Sequence, residues 1–266
     1  MKIAAVQMVS TPDWATNRDT AARLIARAAA AGATLVALPE YFGIMGRRDT
    51  DKLALAEPPG AGPMQQFLAD TARHHRLWLV GGTVPVASDS SGRVFNRCSV
   101  YAPDGSVAAH YDKIHLFAFD NGSESHDEGR TLQAGTAPVA VQAGALRLGL
   151  SICYDLRFPE LYRALMHPPC DVLVVPAAFT HTTGQAHWEL LLRARAVENQ
   201  CVVLAPAQGG LHPNGRRTWG HSQIVGPWGE VLAGCGEGED VVVADVDTQR
   251  IAQVRRQLPA LAHRRL

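Results

Sequence analysis

Short apolar runs rich in β-branched residues recur along the chain, separated by segments whose apolar positions return every three to four residues. Residues 2–9 and 34–38 (TLVAL) read as strands, and 17–31, rich in Ala and Arg with Leu24 and Ile25 on one face, reads as a helix ended by Gly32. A second helix over about 63–75 leads into the strand LWLVGGTV at 77–84. Residues 94–102 and 106–111 flank Pro103-Asp104-Gly105, a turn signal that predicts a hairpin. Further strands are predicted at 146–152, 171–176, 201–206, 221–225 and 240–245, with helices near 158–166, 185–198 and 248–257. This alternation, interrupted by hairpins, predicts an α/β protein with a mixed sheet or two sheets. With no internal repeat, low-complexity tract or Pro/Ser linker, one domain over 1–266 is the simplest organisation. The segment 117–137 is the longest without periodicity, and such loops in compact domains are often functional.

Composition narrows the function classes. The 266 residues carry 25 basic and 25 acidic side chains, so the net charge is zero and a general binder of phosphate backbones is not indicated. The hydrophobic share of 47% argues against disorder. No apolar run approaches the roughly 18 residues needed to cross a bilayer. The opening MKIAAVQMVS is broken by Gln7 and reads as a first strand rather than a secretory signal. Five cysteines, none arranged as C-x-x-C, predict reduced thiols in a cytoplasmic protein. Of these, Cys98, Cys170, Cys201 and Cys235 read as structural or incidental.

Three strand ends carry the candidate chemistry. Glu40 follows TLVALP, Lys113 follows the strand ending at Tyr111, and Cys153 follows LRLGLSI just before a helix. Ligands of α/β folds bind beyond the carboxyl ends of strands, where these groups could converge. A carboxylate, an ammonium and a thiol suit acyl transfer: the Lys would favour the thiolate, and the Glu could shuttle protons. Lys113 and the backbone N–H of Tyr154 could hold an oxyanion. Each residue also has an ordinary reading, as core filler for the Cys and as solvated surface charge for Glu and Lys.

Local sequence favours the chemical reading. The strings LPEYF (38–42), YDKIHLF (111–117) and SICYDLRFPELYR (151–163) resemble the three signature segments of the nitrilase superfamily of carbon–nitrogen hydrolases, in the right order. The strings at 176–200 and 220–233 are similar too, and the resemblance runs from Met1 to about Val246, leaving 247–266 as a tail. It implies a four-layer α-β-β-α sandwich, a Glu40-Lys113-Cys153 triad, and a second glutamate, Glu128 in HDEGR, expected to orient Lys113 or the substrate amide. It further implies a homodimer with helices packed between subunits, a small-molecule amide substrate, and no metal or organic cofactor.

The triad alone does not choose a substrate. The loop 207–222 and the terminal LPALAHRR resemble amidases that cleave deaminated glutathione, whereas AFTHTTGQAHWELL at 178–191 also fits ω-amidases acting on α-ketoglutaramate and α-ketosuccinamate. The first is the preferred expectation. A module without catalysis, or a redox sensor built on Cys153, is the alternative of another class, weakened by the presence of all three residue types. Candidates for reading a substrate carboxylate are Arg157, His181 and Thr182. Arg157 could instead hold a buried acid such as Glu160, and that structural role is favoured. His181 and His187 lack a third ligand at a recognised zinc spacing. A helix opening at 187 is expected to bury Leu190, Leu191 and Ala194 and to pair Glu189 with Arg193.

Overall fold

The computed structural model describes residues 1–120, 122 and 125–265. Its first strand shows how the apolar runs are used. In β1 (Lys2–Gln7), Ile3 and Ala5 face one core, while Ala4 and Val6 face another. A strand buried on both faces reads as a continuous apolar run, because its two-residue alternation no longer separates core from solvent.

From β1 the chain enters α1 (Trp14–Ala30), capped by Asp13, whose side chain accepts from Thr16 N–H. It returns as β2 (Leu35–Ala37), passes the short α2 (Asp51–Ala54) and α3 (Pro63–His75), and continues as β3 (Trp78–Val80). The run predicted as one strand over 77–84 breaks at Gly81-Gly82, and β4 (Val84–Ala87) starts beyond it. The break has a steric cause: Gly82 has φ +57°, and a Cβ there would lie 2.2 Å from the carbonyl oxygen of Pro39. The hairpin appears as β5 (Val94–Tyr101) and β6 (Val107–Asp112).

Within the aperiodic segment lie a small hairpin, β7 (Ala118–Asp120) and β8 (Ser125–Asp127), and a 3-10 turn over Glu128–Arg130; positions 121, 123 and 124 lie outside the described residues. The second half supplies β9 (Val139–Ala143), β10 (Leu146–Leu150), α4 (Pro159–Ala164), β11 (Val172–Val174), α5 (His181–Asn199) and β12 (Val202–Ala205). Then come β13 (Gly209–Leu211), β14 (Arg217–Trp219), β15 (Gln223–Val225), β16 (Val231–Gly234), β17 (Asp240–Asp245) and α6 (Thr248–Gln257).

Two sheets result. One runs β17-β1-β2-β3-β5-β4 with β6 joined to β5, the other β16-β15-β12-β11-β10-β9. Each has a parallel centre, β1-β2-β3 and β10-β11-β12, flanked by antiparallel strands. Ile3, Leu35 and Val80 of the first sheet share a core with Leu148, Val172 and Leu204 of the second, so the sheets pack face to face. The opposite face of the first sheet takes Leu24 and Ile25 of α1 and Leu68 of α3; α5 covers the second with Trp188, Leu192 and Ala196. This is the α-β-β-α sandwich.

Helix α5 departs from its predicted pattern. It begins at His181 behind a Thr180 cap, and its buried residues include Gly184, Trp188, Leu192 and Ala196. Leu190, expected inside, is 67% exposed. The cause is Gly184, where a Cβ would lie 2.2 Å from the Cβ of Trp219: close approach of β14 sets the rotation of the helix. Glu189 and Arg193 do stand 3.5 Å apart on the surface. No helix among the described residues is long and apolar enough to cross a membrane.

Candidate active site

The strands β2 and β3 are parallel, and β6 runs in the same direction because both it and β3 pair antiparallel with β5. Glu40 and Lys113, just past β2 and β6, therefore emerge at the same edge of the first sheet, and Cys153, just past β10, faces them from the second. The turns holding these residues are sterically demanding. Tyr41, after Glu40, has φ +57°, and Cys153 has φ +50°. A left-handed conformation costs an ordinary residue about 1–2 kcal/mol, so surrounding bonds must enforce it. Tyr41 N–H donates to Thr83 Oγ1 at 2.8 Å, and Gln208 Nε2 donates to the Glu40 carbonyl at 3.0 Å. Cys153 N–H donates to the Pro176 carbonyl at 2.9 Å.

Asp155, fully buried, joins two of these strand ends. Its Oδ2 accepts from Ile152 N–H at 2.8 Å and Tyr111 O–H at 2.7 Å. Its Oδ1 accepts from His115 N–H at 3.1 Å and lies 2.7 Å from His115 Nδ1. The residues flanking Lys113 are thus fastened to the turn that carries Cys153.

Lys113 has no exposed side-chain surface, and its Nζ donates to Glu40 Oε1 at 2.9 Å and to Glu128 Oε2 and Oε1 at 2.7 and 3.0 Å. Burial alone would expel the ammonium proton, but Glu128 and Glu40 overcome that and raise its pKa above the ordinary lysine value. Burial likewise raises the Glu128 carboxyl, yet Lys113, the Phe117 N–H and the Tyr41 hydroxyl outweigh it and hold the group below its usual range. Glu40 also accepts from Asn96 Nδ2 at 2.9 Å and from Ala178 N–H at 3.0 Å, which fixes both its oxygens.

The thiol behaves otherwise than the residue types suggested. Burial raises the Cys153 pKa well above its ordinary value, and Glu40 and Glu128 push the same way against Lys113. Within the Glu40–Lys113–Glu128 cluster one ammonium faces two carboxylates, so the cluster itself is net negative. The resting group is therefore a neutral thiol rather than the thiolate that Lys113 alone would favour, and attack requires a base to take its proton.

Cys153 lines a small cavity with Glu40, Glu128, Tyr154 and Arg157. Tyr154 lies in the first turn of the 3-10 helix Cys153–Arg157, where backbone N–H groups have no acceptor within the helix. Arg157 does not serve Glu160, which is exposed. Its guanidinium lies 3.3 Å from His187 Nδ1 and over the rings of Tyr154 and Phe179 at 5.9 and 5.4 Å. The early turn through Phe158-Pro159 sends Glu160 outward on α4 while Arg157 stays at the cavity. His181 and Thr182 are not in this cavity; they line a wider one of about 600 Å³ that shares Phe117, Glu128, Thr180 and Arg216 with it. His181 Nε2 lies 3.6 Å from Glu237, apart from His187, and among the described residues no three His, Cys, Asp or Glu side chains form a metal-holding group.

Sequence patterning did not single out Asn96, Asp155, Tyr41 or Arg216. Asn96 sits mid-strand in a mostly buried run, where an amide was the only available signal.

The profile of the carbon–nitrogen hydrolase family matches residues 2–256. The chain belongs to the carbon–nitrogen hydrolase family. Within it, the chain is 43% identical to a deaminated glutathione amidase of Synechocystis, covering 98% of this chain and 97% of that protein. It is 38% identical to omega-amidase NIT2 of Xenopus tropicalis, covering 99% and 95%. Among solved structures, the C. elegans NitFhit protein superposes with a TM-score of 0.91 at 38% identity; the match covers 99% of this hydrolase and 65% of that chain.

Proposed function

We propose that this hydrolase cleaves the C–N bond of a small carboxylate-bearing amide through a thioester on Cys153, with deaminated glutathione as the preferred substrate. The observation that carries the reading is that Glu40 and Glu128, both ion-paired to the buried Lys113, line one cavity with the Cys153 thiol. The similarity to a deaminated glutathione amidase across nearly the full length of both chains supports the substrate. The 600 Å³ cavity next to the thiol gives room for a dipeptide leaving group.

In this mechanism Glu40 takes the thiol proton as sulfur attacks the amide carbonyl, forming the S–C bond and an oxyanion. Lys113 Nζ and the Tyr154 N–H stabilise that oxyanion, and Glu128 holds Lys113 in position. The oxyanion collapses, the C–N bond breaks, and Glu40 returns the proton to the departing nitrogen. Water then gives a proton to Glu40 as it attacks the thioester carbonyl; the C–S bond breaks, the acid leaves, and the thiol is restored.

Five free cysteines support a cytoplasmic site of action. A homodimer is supported by an apolar surface on α5 and the β15–β16 turn, where Leu190, Val197 and Trp228 are 67%, 49% and 55% exposed. The substrate test measures 2-oxoglutarate release from deaminated glutathione and from α-ketoglutaramate side by side, with Cys153→Ala as control. Higher kcat/KM on deaminated glutathione, abolished in the variant, is the expected result. Preference for α-ketoglutaramate would make the chain an ω-amidase with the same mechanism, and no turnover of either would refute the amidase reading.

A further inference from the structure

Four residues form the passage between the Cys153 cavity and the wide one: Phe117, Glu128, Thr180 and Arg216. Phe117 and Thr180 are uncharged, and the Glu128 carboxylate is compensated by Lys113. Arg216 is the remaining charge, and it has no carboxylate within ion-pair distance among the described residues. Its Nε is buried and unpaired, Nη1 lies 4.0 Å from Met45 Sδ, and Nη2 reaches the Ala178 carbonyl at 3.4 Å. The next residue shows the contrast, since Arg217 pairs with Glu237 at 2.8 Å. A guanidinium with a buried, unsatisfied N–H beside a reactive centre lacks an acceptor, and a carboxylate offers two oxygens matched to its fork.

A second cation stands nearby. Lys52 Nζ is 3.2 Å from Thr131 Oγ1 and 5.5 Å from the centroid of the Tyr41 ring, again without a carboxylate partner. Burial lowers the Lys52 pKa; Glu128 and Asp49 attract its charge while Lys113 and Arg216 repel it, and the Tyr41 hydroxyl is committed to Glu128. Two cations that line one cavity, neither with a carboxylate within ion-pair distance among the described residues, favour binding of an anion there. Arg157, the cation expected from sequence, also lacks a carboxylate within ion-pair distance among the described residues, but its guanidinium packs over two aromatic rings and meets His187 rather than lining the passage between the cavities.

We propose that Arg216, supported by Lys52, is the specificity-determining receptor for the substrate's carboxylate. The proposal rests on the amidase reading for its substrate, while the anion site itself can be tested without turnover.

Glutaramate and glutaramide form a matched pair that differ by one carboxylate replaced with a neutral amide. The ratio of their kcat/KM values is expected to fall at least tenfold, against glutaramate, in Arg216→Gln, and to recover in part in Arg216→Lys. Calorimetric titration of 2-oxoglutarate into Cys153→Ala and into Cys153→Ala/Arg216→Gln is expected to show at least tenfold weaker binding in the double variant. An unchanged ratio, or a ratio that falls in Arg157→Gln instead, would overturn the proposal, as would equal 2-oxoglutarate affinity in the two titrated proteins. If the wild type hydrolyses no amide while 2-oxoglutarate binding still depends on Arg216, the amidase reading fails and the anion receptor stands.

Discussion

Replacing Asp155 with Asn tests whether fastening two strand ends together is what assembles the site. Each Asp155 oxygen faces two hydrogen-bonding groups, one of them a backbone N–H: His115 N–H at Oδ1 and Ile152 N–H at Oδ2. An Asn side chain must turn its NH2 toward one of these. The Tyr111 hydroxyl or the His115 ring can change role to accept, but a backbone N–H cannot. One buried donor is therefore orphaned in either orientation, at about 1–3 kcal/mol, and the remaining bonds lose their charge assistance. A total of about 2–4 kcal/mol follows, which for a domain of this size lowers Tm by roughly 5–15 °C. Because Tyr111 and His115 flank Lys113, the variant also displaces the ammonium from the thiol, and a shift of about 1 Å costs on the order of 100-fold in kcat. Differential scanning calorimetry and steady-state amide hydrolysis read the two effects. A Tm within 2 °C of wild type together with a kcat within about twofold would refute the reasoning.

Other consequences are more local. Asn96→Ala removes a hydrogen bond to the Glu40 carboxylate and is expected to lower kcat by about 10- to 100-fold without changing the circular dichroism spectrum, since bonds to charged groups are worth about 1.5–3 kcal/mol. Gly184→Ala drives a methyl into Trp219 and is expected to destabilise the fold by about 1–3 kcal/mol in urea denaturation; no change would mean that α5 and β14 are not in contact. Burial pushes the fully buried Cys98 thiol up to about 12, so its contribution is complete below the unfolded thiol pKa of about 8.5 and is lost as pH rises toward the folded value. Between pH 8.5 and 10 stability should fall by about 2 kcal/mol through this thiol, and Cys98→Ala should flatten that part of the profile.

Much of this arrangement was legible in the sequence because strand ends are written in apolar runs. TLVALP, the strand closing at Tyr111 and LRLGLSI each stop just before the residue they deliver, so Glu40, Lys113 and Cys153 stood out as candidates, and the resemblance of the strings around them to the nitrilase superfamily favoured them over their ordinary readings. The hairpin around Pro103-Asp104-Gly105 was legible for the same local reason. What local pattern does not encode is rotation and partner choice. The face that α5 buries depends on close contact between Gly184 and Trp219, 35 residues later, which moved Leu190 outward and Leu192 inward. The strands β9, β13 and β14 were not anticipated, since β9 is largely half-buried and β13 is mostly glycine. The thiol's resting state was misjudged because residue types give the sign of Lys113 but not the burial and the two carboxylates that outweigh it.

The central claim is that Cys153 carries the acyl group. Its most direct measurement is rapid acid quenching during turnover of deaminated glutathione, followed by intact mass and peptide mapping. The account predicts a transient adduct with the mass of the 2-oxoglutaryl group, on the peptide containing Cys153, absent in Cys153→Ala. Full turnover with no adduct, or undiminished turnover in Cys153→Ala, would contradict it.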